Sequence, residues 1–194
     1  MMHMIPIVAA MLVVALRTWM HAYQPHRLDA GDDRHLDREY SRASMLFKHV
    51  ASLALMGAMA FVWWRRGIFG RDSLYVHEVL GVLLVGAGVG VRHWAIATLG
   101  RFFTFELGLR KEHDLVQGGP YRWVMHPAYS GSLLVEVGVC TFFSAWWVGL
   151  PIVVSTVAFL RRRIADEEHV LRAEFGDRFD AYARGRARLV PGVY

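Results

Sequence analysis

The sequence predicts an all-α fold, an integral membrane helical bundle of about five transmembrane helices with a cytosolic loop and a C-terminal amphipathic helix. Three observations carry this. Of 194 residues 55% are hydrophobic, and the mean hydropathy of +0.27 is too apolar for a soluble domain of this size. Apolar runs of helical length recur, and basic or aromatic residues mark their ends, as in Trp63-Trp64-Arg65-Arg66. The tail is polar yet keeps apolar residues at helical spacing.

The chain carries a formal net charge of +5, but its basic residues are dispersed among apolar segments. That pattern suits a bilayer surface, and no nucleic-acid groove is expected. Cys140 is the single cysteine, which excludes an internal disulfide and a cysteine zinc site, so no metal is expected either.

Met1 to Leu16 lacks the basic start and small-residue cleavage site of a signal peptide, so it is expected to remain as a first span, with Trp19 and Tyr23 at the interface. Gln24 to Arg42 is a polar connector. Ser44 to Trp64 is the second span, followed by a basic turn from Arg65 to Asp72. Leu74 to Ala97 is the third, and its Gly86 and Gly90 form a G-x-x-x-G spacing that would let another backbone approach. A first region, 1–98, thus holds three spans.

The second region, 99–194, carries the chemistry. Pro127 to Ser144 and Ala145 to Leu160 are apolar with almost nothing between them, so they form an antiparallel hairpin. Arg161, Arg162 and Arg163 mark the membrane exit. From Ile164 to Arg186 the residues Ile164, Leu171, Phe175, Phe179 and Tyr182 share one helical stripe, predicting an amphipathic helix that covers the membrane face of the protein. The basic C-terminus places this tail and the loop before the hairpin in the cytosol.

That loop, His113 to Gly131, is turn-rich and polar between apolar segments. Gly118-Gly119-Pro120-Tyr121 makes a turn, and Pro127 suits the first position of the next helix, leaving His126 at or near its cap. A helix start favours an anionic group, and Tyr121 and Tyr129 add aromatic faces for a base or a cation. The alternative is that the loop merely closes the bundle. Arg163 and Glu167 are spaced as a surface ion pair, yet Glu167 borders the apolar stripe, where a carboxylate needs a partner. Glu136 interrupts the fourth span, as a functional group or as an interhelical hydrogen bond. Arg92 ends the third span, either snorkelling or reaching the site.

Several short motifs occur in order: Arg92-x-Trp94-Ala95, Leu99-Gly100-Arg101-Phe102-Phe103-Thr104, His113-Asp114-Leu115-Val116, Gly119-Pro120-Tyr121-Arg122, His126-Pro127-x-Tyr129-x-Gly131, Arg163-Ile164-x-x-Glu167-Glu168 and Phe175-Gly176. Together they resemble the isoprenylcysteine carboxyl methyltransferase family, over roughly Arg92 to Pro191. The resemblance implies an enzyme of the membrane, a protein-S-isoprenylcysteine O-methyltransferase, that uses S-adenosyl-L-methionine to methylate the C-terminal carboxylate of prenylated cysteine in processed CaaX proteins. It implies an endoplasmic reticulum membrane, with the site facing the cytosol and prenylated protein C-termini or prenylcysteine as partners.

By position, the same resemblance implies that Glu106, His113, Asp114, Leu115, Val116, Tyr121, His126, Pro127, Ala128, Tyr129 and Glu167 bind the cofactor. Arg163 would engage the substrate carboxylate, assisted by Arg92, as the catalytic pair. Met125 departs from the family's arginine, and Phe179 from its tyrosine. A lipid-amine N-methyltransferase, such as one acting on phospholipid, would share the cofactor loop, and a non-catalytic scaffold would bind no cofactor.

Overall fold

A computed structural model describes residues 75–103, 114–144, 146–192 and 194, together with the isolated positions 57 and 61. The first two expected spans, their polar connector, the basic turn, Thr104, Glu106 and His113 lie outside the described residues. The described chain forms helices α1 (Val76–Leu99), α2 (Pro127–Phe143), α3 (Trp146–Phe175) and α4 (Asp177–Ala183), with 3-10 turns at Gly100–Phe102 and Gly119–Arg122.

Helix α1 starts where the Glu78 carboxylate accepts the Tyr75 backbone N–H at 2.8 Å, and it stops at Gly100, whose φ of 52° no helix continues. Among the described residues it is the helix long and apolar enough to cross a bilayer, with a mean hydropathy of 1.7. Helix α2 is shorter and equally apolar. It runs antiparallel to α1, in backbone contact with it.

This contact does not use the expected glycines. A Cβ added at Gly86 or Gly90 would meet no described atom within 4 Å, whereas one at Gly88 would lie 2.6 Å from the Gly131 carbonyl oxygen and one at Gly131 equally close to that of Gly88. Gly81 against Phe142 and Gly138 against Val85 extend the seam. The physical reason is rotational: Gly81, Val85 and Gly88 stand four and seven residues apart and share one helix face, while Gly86 and Gly90 lie on another. Buried Val135, Val139, Cys140 and Phe142 continue the core from the α2 side.

Ser144, in the left-handed region at φ 48°, ends α2 and lets the chain turn back. Helix α3 pairs antiparallel with α2, as the hairpin requires: Thr156 donates to Glu136 at 3.2 Å at one level, and Arg163 bonds Tyr129 at another. Glu136 therefore makes the interhelical hydrogen bond that was one of its two readings.

The tail differs from expectation. No separate amphipathic helix begins at Ile164; α3 continues unbroken for 30 residues to Phe175. Arginine, alanine, glutamate and leucine after Leu160 are all good helix formers, so the polarity change marks the end of the apolar span without ending the helix. At about 1.5 Å per residue, α3 is about 45 Å long and outreaches a hydrocarbon core of about 30 Å. The break comes at Gly176, with φ at 51°. The stripe survives across it: Leu171, Phe175, Phe179 and Tyr182 close around Met125 and Leu115 of the loop, and Ile164 joins Leu160 and Leu189.

The seam makes a direct prediction. Gly131→Ala must push backbone atoms apart and should lower stability by about 1–3 kcal/mol in detergent thermal melts. Gly86→Ala should be neutral, or stabilising by up to about 1 kcal/mol through helix propensity. Equal melting of the two variants would contradict the crossing.

Candidate functional site

The site is built where the loop enters α2. Pro127 occupies the first helical position and His126 the cap, a place where the missing proline N–H costs nothing. One turn on, the Tyr129 ring stacks on that of His126 with centroids 5.8 Å apart and planes 19° from parallel. The 3-10 turn Gly119–Arg122 presents Tyr121, which is buried with Ala95 and Ala128 and flanked by Leu99 and Val116. Burial raises the Tyr121 phenol well above its usual range. The Tyr182 hydroxyl, pushed up to about 12 mainly by burial, donates to the Tyr121 carbonyl at 3.4 Å.

A polar line crosses from α2 to α3. Tyr129 donates its hydroxyl proton to Glu167 Oε2 at 2.9 Å, and the Tyr129 hydroxyl oxygen in turn accepts from Arg163 Nε at 2.8 Å. Tyr129 thereby stands between the two residues whose spacing first suggested a simple ion pair. Arg163 is buried, while the Glu167 side chain keeps 36% of its exposure and so can still meet a ligand. His126 lies between two carboxylates, its Nδ1 3.9 Å from Glu167 and its Nε2 3.6 Å from Glu168. These are ion-pair separations and exceed hydrogen-bonding range; the buried Nε2 has no hydrogen-bond partner among the described residues.

Arg92 does not snorkel. Its guanidinium crosses to α2, donating to the Ala128 carbonyl at 3.2 Å and the Ser132 hydroxyl at 2.9 Å. Tyr121, His126, Pro127, Ala128, Tyr129, Arg163, Glu167 and Arg92 therefore gather around one corner. Val116 lines the Tyr121 side, and Leu115 belongs to the apolar cluster beneath α4. Asp114 is exposed and bonds Arg178 at 2.9 Å as well as the Leu115 N–H. Met125 and Phe179, the two departures from the family pattern, share one buried apolar cluster, where a thioether against an aromatic ring is favourable.

One part of the site was not foreseen. Residues 187–189 run back along the corner as a strap: Met125 N–H donates to the Ala187 carbonyl at 2.8 Å and His126 N–H to that of Arg188 at 3.0 Å. Ser130 donates its hydroxyl proton to the Leu189 carbonyl at 2.6 Å. Arg188 holds buried Glu168 by two bonds, of 2.6 and 2.9 Å. Burial alone would raise the Glu168 carboxyl, but the two Arg188 hydrogen bonds and the proximity of His126 and Arg188 outweigh it and hold the group at about 2. A sequence signal existed, since Glu168 follows Ile164 by four residues and so lies on the buried stripe itself.

Comparison with solved structures matches this fold to the eukaryotic intramembrane Ras methyltransferase ICMT, with a TM-score of 0.71 over 100% of this chain and 68% of that one, at 19% identity. The fold is that of a helical integral membrane protein, and it carries a charged cluster at the corner where α2 begins and α3 passes it. The sequence profile of the isoprenylcysteine carboxyl methyltransferase (ICMT) family matches residues 79–173. Protein-S-isoprenylcysteine O-methyltransferase B of Arabidopsis thaliana is 29% identical over 162 residues, 81% of this chain and 76% of that protein. A probable protein-S-isoprenylcysteine O-methyltransferase of Oryza sativa subsp. indica is 33% identical over 107 residues, 54% of this chain and 56% of the relative. Over these residues the chain is similar to the isoprenylcysteine carboxyl methyltransferase family.

The depressed Glu168 carboxyl makes stability depend on pH with a defined sign. Its contribution is complete above about 4.5, the ordinary value, and fades as pH falls toward about 2. Glu168→Gln should cost about 2–3 kcal/mol at neutral pH, because it leaves Arg188 without its anion. The gap between variant and unaltered protein should narrow below pH 4.5 in thermal melts; a constant gap would refute the assignment.

Proposed function

We propose that the chain transfers a methyl group from S-adenosyl-L-methionine to the C-terminal carboxylate of a prenylated cysteine, the site opening to the cytosol from an endoplasmic reticulum membrane. The observation that carries this is the joining of the His126-Pro127 corner to Arg163 and Glu167 through the single Tyr129 hydroxyl. The residues present fit the donor. The stacked His126 and Tyr129 rings offer π faces to a sulfonium cation, and half-open Glu167 offers a carboxylate to its ammonium or hydroxyl groups. Asp114, Leu115, Val116, Tyr121, Pro127 and Ala128 would line the same donor pocket, with Glu106 and His113 assigned to it by family position.

When bound, S-adenosylmethionine supplies an electrophilic methyl group. A substrate carboxylate, with a reference pKa near 3.5, is already ionised at neutral pH, so no general base is required. The chain would have to present one carboxylate oxygen to that methyl group and would have no proton to hold or move. What the chain contributes is orientation and exclusion of water. Arg163 would hold the carboxylate within roughly 3 Å of the methyl carbon, and Arg92, fixed to the start of α2, supports the wall behind it. Buried Arg163 also favours this acceptor over a lipid amine, which would meet it as a like charge and would first have to lose a proton. The arginine-rich exit of α3, Arg161 to Arg163, supports the cytosolic orientation.

The decisive assay offers labelled donor with either N-acetyl-S-farnesylcysteine or phosphatidylethanolamine; transfer to the lipid alone would overturn the acceptor, and no donor binding would overturn the enzyme. Glu167→Ala should weaken donor affinity about tenfold or more in calorimetry, as expected for loss of a charge-assisted hydrogen bond. Arg163→Ala should instead raise the acceptor KM or lower kcat by about tenfold or more with donor binding kept. Equal loss of both ligands in both variants would mean that the two roles are not separate.

A further inference from the structure

We propose that Arg188 is a positioning residue for methyl transfer: it clamps the strap 187–189 onto the His126 corner and so holds His126 and Glu167 in register for the donor. The proposal rests on the donor reading given above. Three successive residues of the strap each fix a different part of the corner. Ala187 pairs with Met125 through its carbonyl, and Arg188 takes the His126 N–H through its own. Leu189 accepts from Ser130 and seats its side chain with Leu160 and Ile164, against which Tyr129 packs. Arg188 adds the only charge in this set.

That charge acts on the donor side of the site. The Glu168 oxygen gripped by Arg188 Nε at 2.6 Å is the one that lies 3.6 Å from His126 Nε2. Glu168 is also the helical neighbour of Glu167, so both carboxylates reach the corner from the same turn of α3. Without Arg188, Glu168 would be left to His126, and the imidazole would be drawn out of its stack with Tyr129 toward α3. Arg163 is held differently, through its own bond to the Tyr129 hydroxyl. Loss of the clamp should therefore reach the donor before the acceptor. The Glu168 side chain is only 6% exposed and that of Arg188 45%, so the cation is brought from the surface to a buried anion. An exposed pair such as Arg172 with Asp180, 2.9 Å apart and about half open on both sides, lacks this leverage.

The test compares the full chain in lipid nanodiscs with Arg188→Ala, Arg188→Lys and, as a surface control, Arg172→Ala. Calorimetry reads the S-adenosylmethionine Kd, steady-state assays read KM for that donor and for N-acetyl-S-farnesylcysteine, and melting curves report folding. Arg188→Ala should raise donor Kd and KM about tenfold while acceptor KM stays within about twofold, and Arg188→Lys should recover at least threefold of the loss, because charge returns without the bidentate fork. Arg172→Ala should remain within about twofold throughout. Unchanged donor affinity in Arg188→Ala overturns the proposal, as does equal weakening of both ligands with a lowered melting temperature. Failure of the unaltered chain to bind the donor would sink the underlying reading before any variant is made, which distinguishes the two failures.

Discussion

Two helices can run in backbone contact only where neither places a Cβ between them, and the rest of the site depends on this contact between α1 and α2. Gly88 and Gly131 meet at its upper end, where a Cβ on Gly131 would lie 2.8 Å from the Arg92 backbone nitrogen. Because that space is empty of side chain, Arg92 can reach over the seam to the Ala128 carbonyl and the Ser132 hydroxyl. A guanidinium at the end of an apolar helix must find acceptors, and here they belong to the first turns of α2. The start of α2, which is the histidine-proline corner, is consequently pinned to the end of α1. Tyr121, packed between Ala95 and Ala128, fills the remaining gap. The corner's position is set by helix packing below it as much as by the loop that leads to it.

The second constraint is the unbroken α3. Glu136 and Tyr129 are seven residues apart on α2, and their partners Thr156 and Arg163 are seven apart on α3, so both hydrogen bonds lie on matching faces of an antiparallel pair. The lower bond sets the register of the hairpin within its apolar length. A continuous helix transmits that register upward without slack, and Arg163, Glu167 and Glu168 arrive at the corner at fixed heights. Had the helix ended with its apolar stretch at Leu160, those three residues would have been free to shift relative to Tyr129. Polar interhelical bonds of this kind contribute modestly to stability, about 0.6 kcal/mol on average where measured in membranes. Their larger effect here is to exclude other registers.

Much of this was legible in the sequence, and the limits have physical causes. Helix α1, the hairpin, the cap at His126 and the proline at the first helical position follow from local rules, because hydropathy and backbone sterics act over a few residues. The corner and the Arg163–Glu167 segment could be matched to a family because their residue types recur in order, although nothing local says that a tyrosine hydroxyl joins them. The seam was assigned to Gly86 and Gly90 because a spacing of four is conspicuous, whereas the face that packs is chosen by the partner helix, which a single helix does not display. The end of α3 was missed because polarity reports the surroundings of a helix and says little about its continuation. Arg188 was invisible for a different reason: its partner Glu168 is 20 residues away, and many arginines in the tail could have served equally on composition.

The charges left around the corner bear on the kind of reaction it suits. Arg163 and Glu167 oppose one another across Tyr129, and Arg188 offsets Glu168, so these four charges fall into two opposite pairs. On the proposed reading, an anionic acceptor and a cationic donor enter this balanced cluster, and both lose their charge as the methyl group moves. A pocket rich in unpaired charge would hold one reactant too firmly in its ionised form and raise the barrier to that neutralisation. A wholly apolar pocket would not admit the two ions at all. On that proposal, one arginine for the carboxylate, one glutamate for the donor's polar end and aromatic faces for the sulfonium would give each reactant enough attraction to enter. The buried Tyr129 hydroxyl keeps those two side chains close together, so the attractions act on reactants that are already side by side.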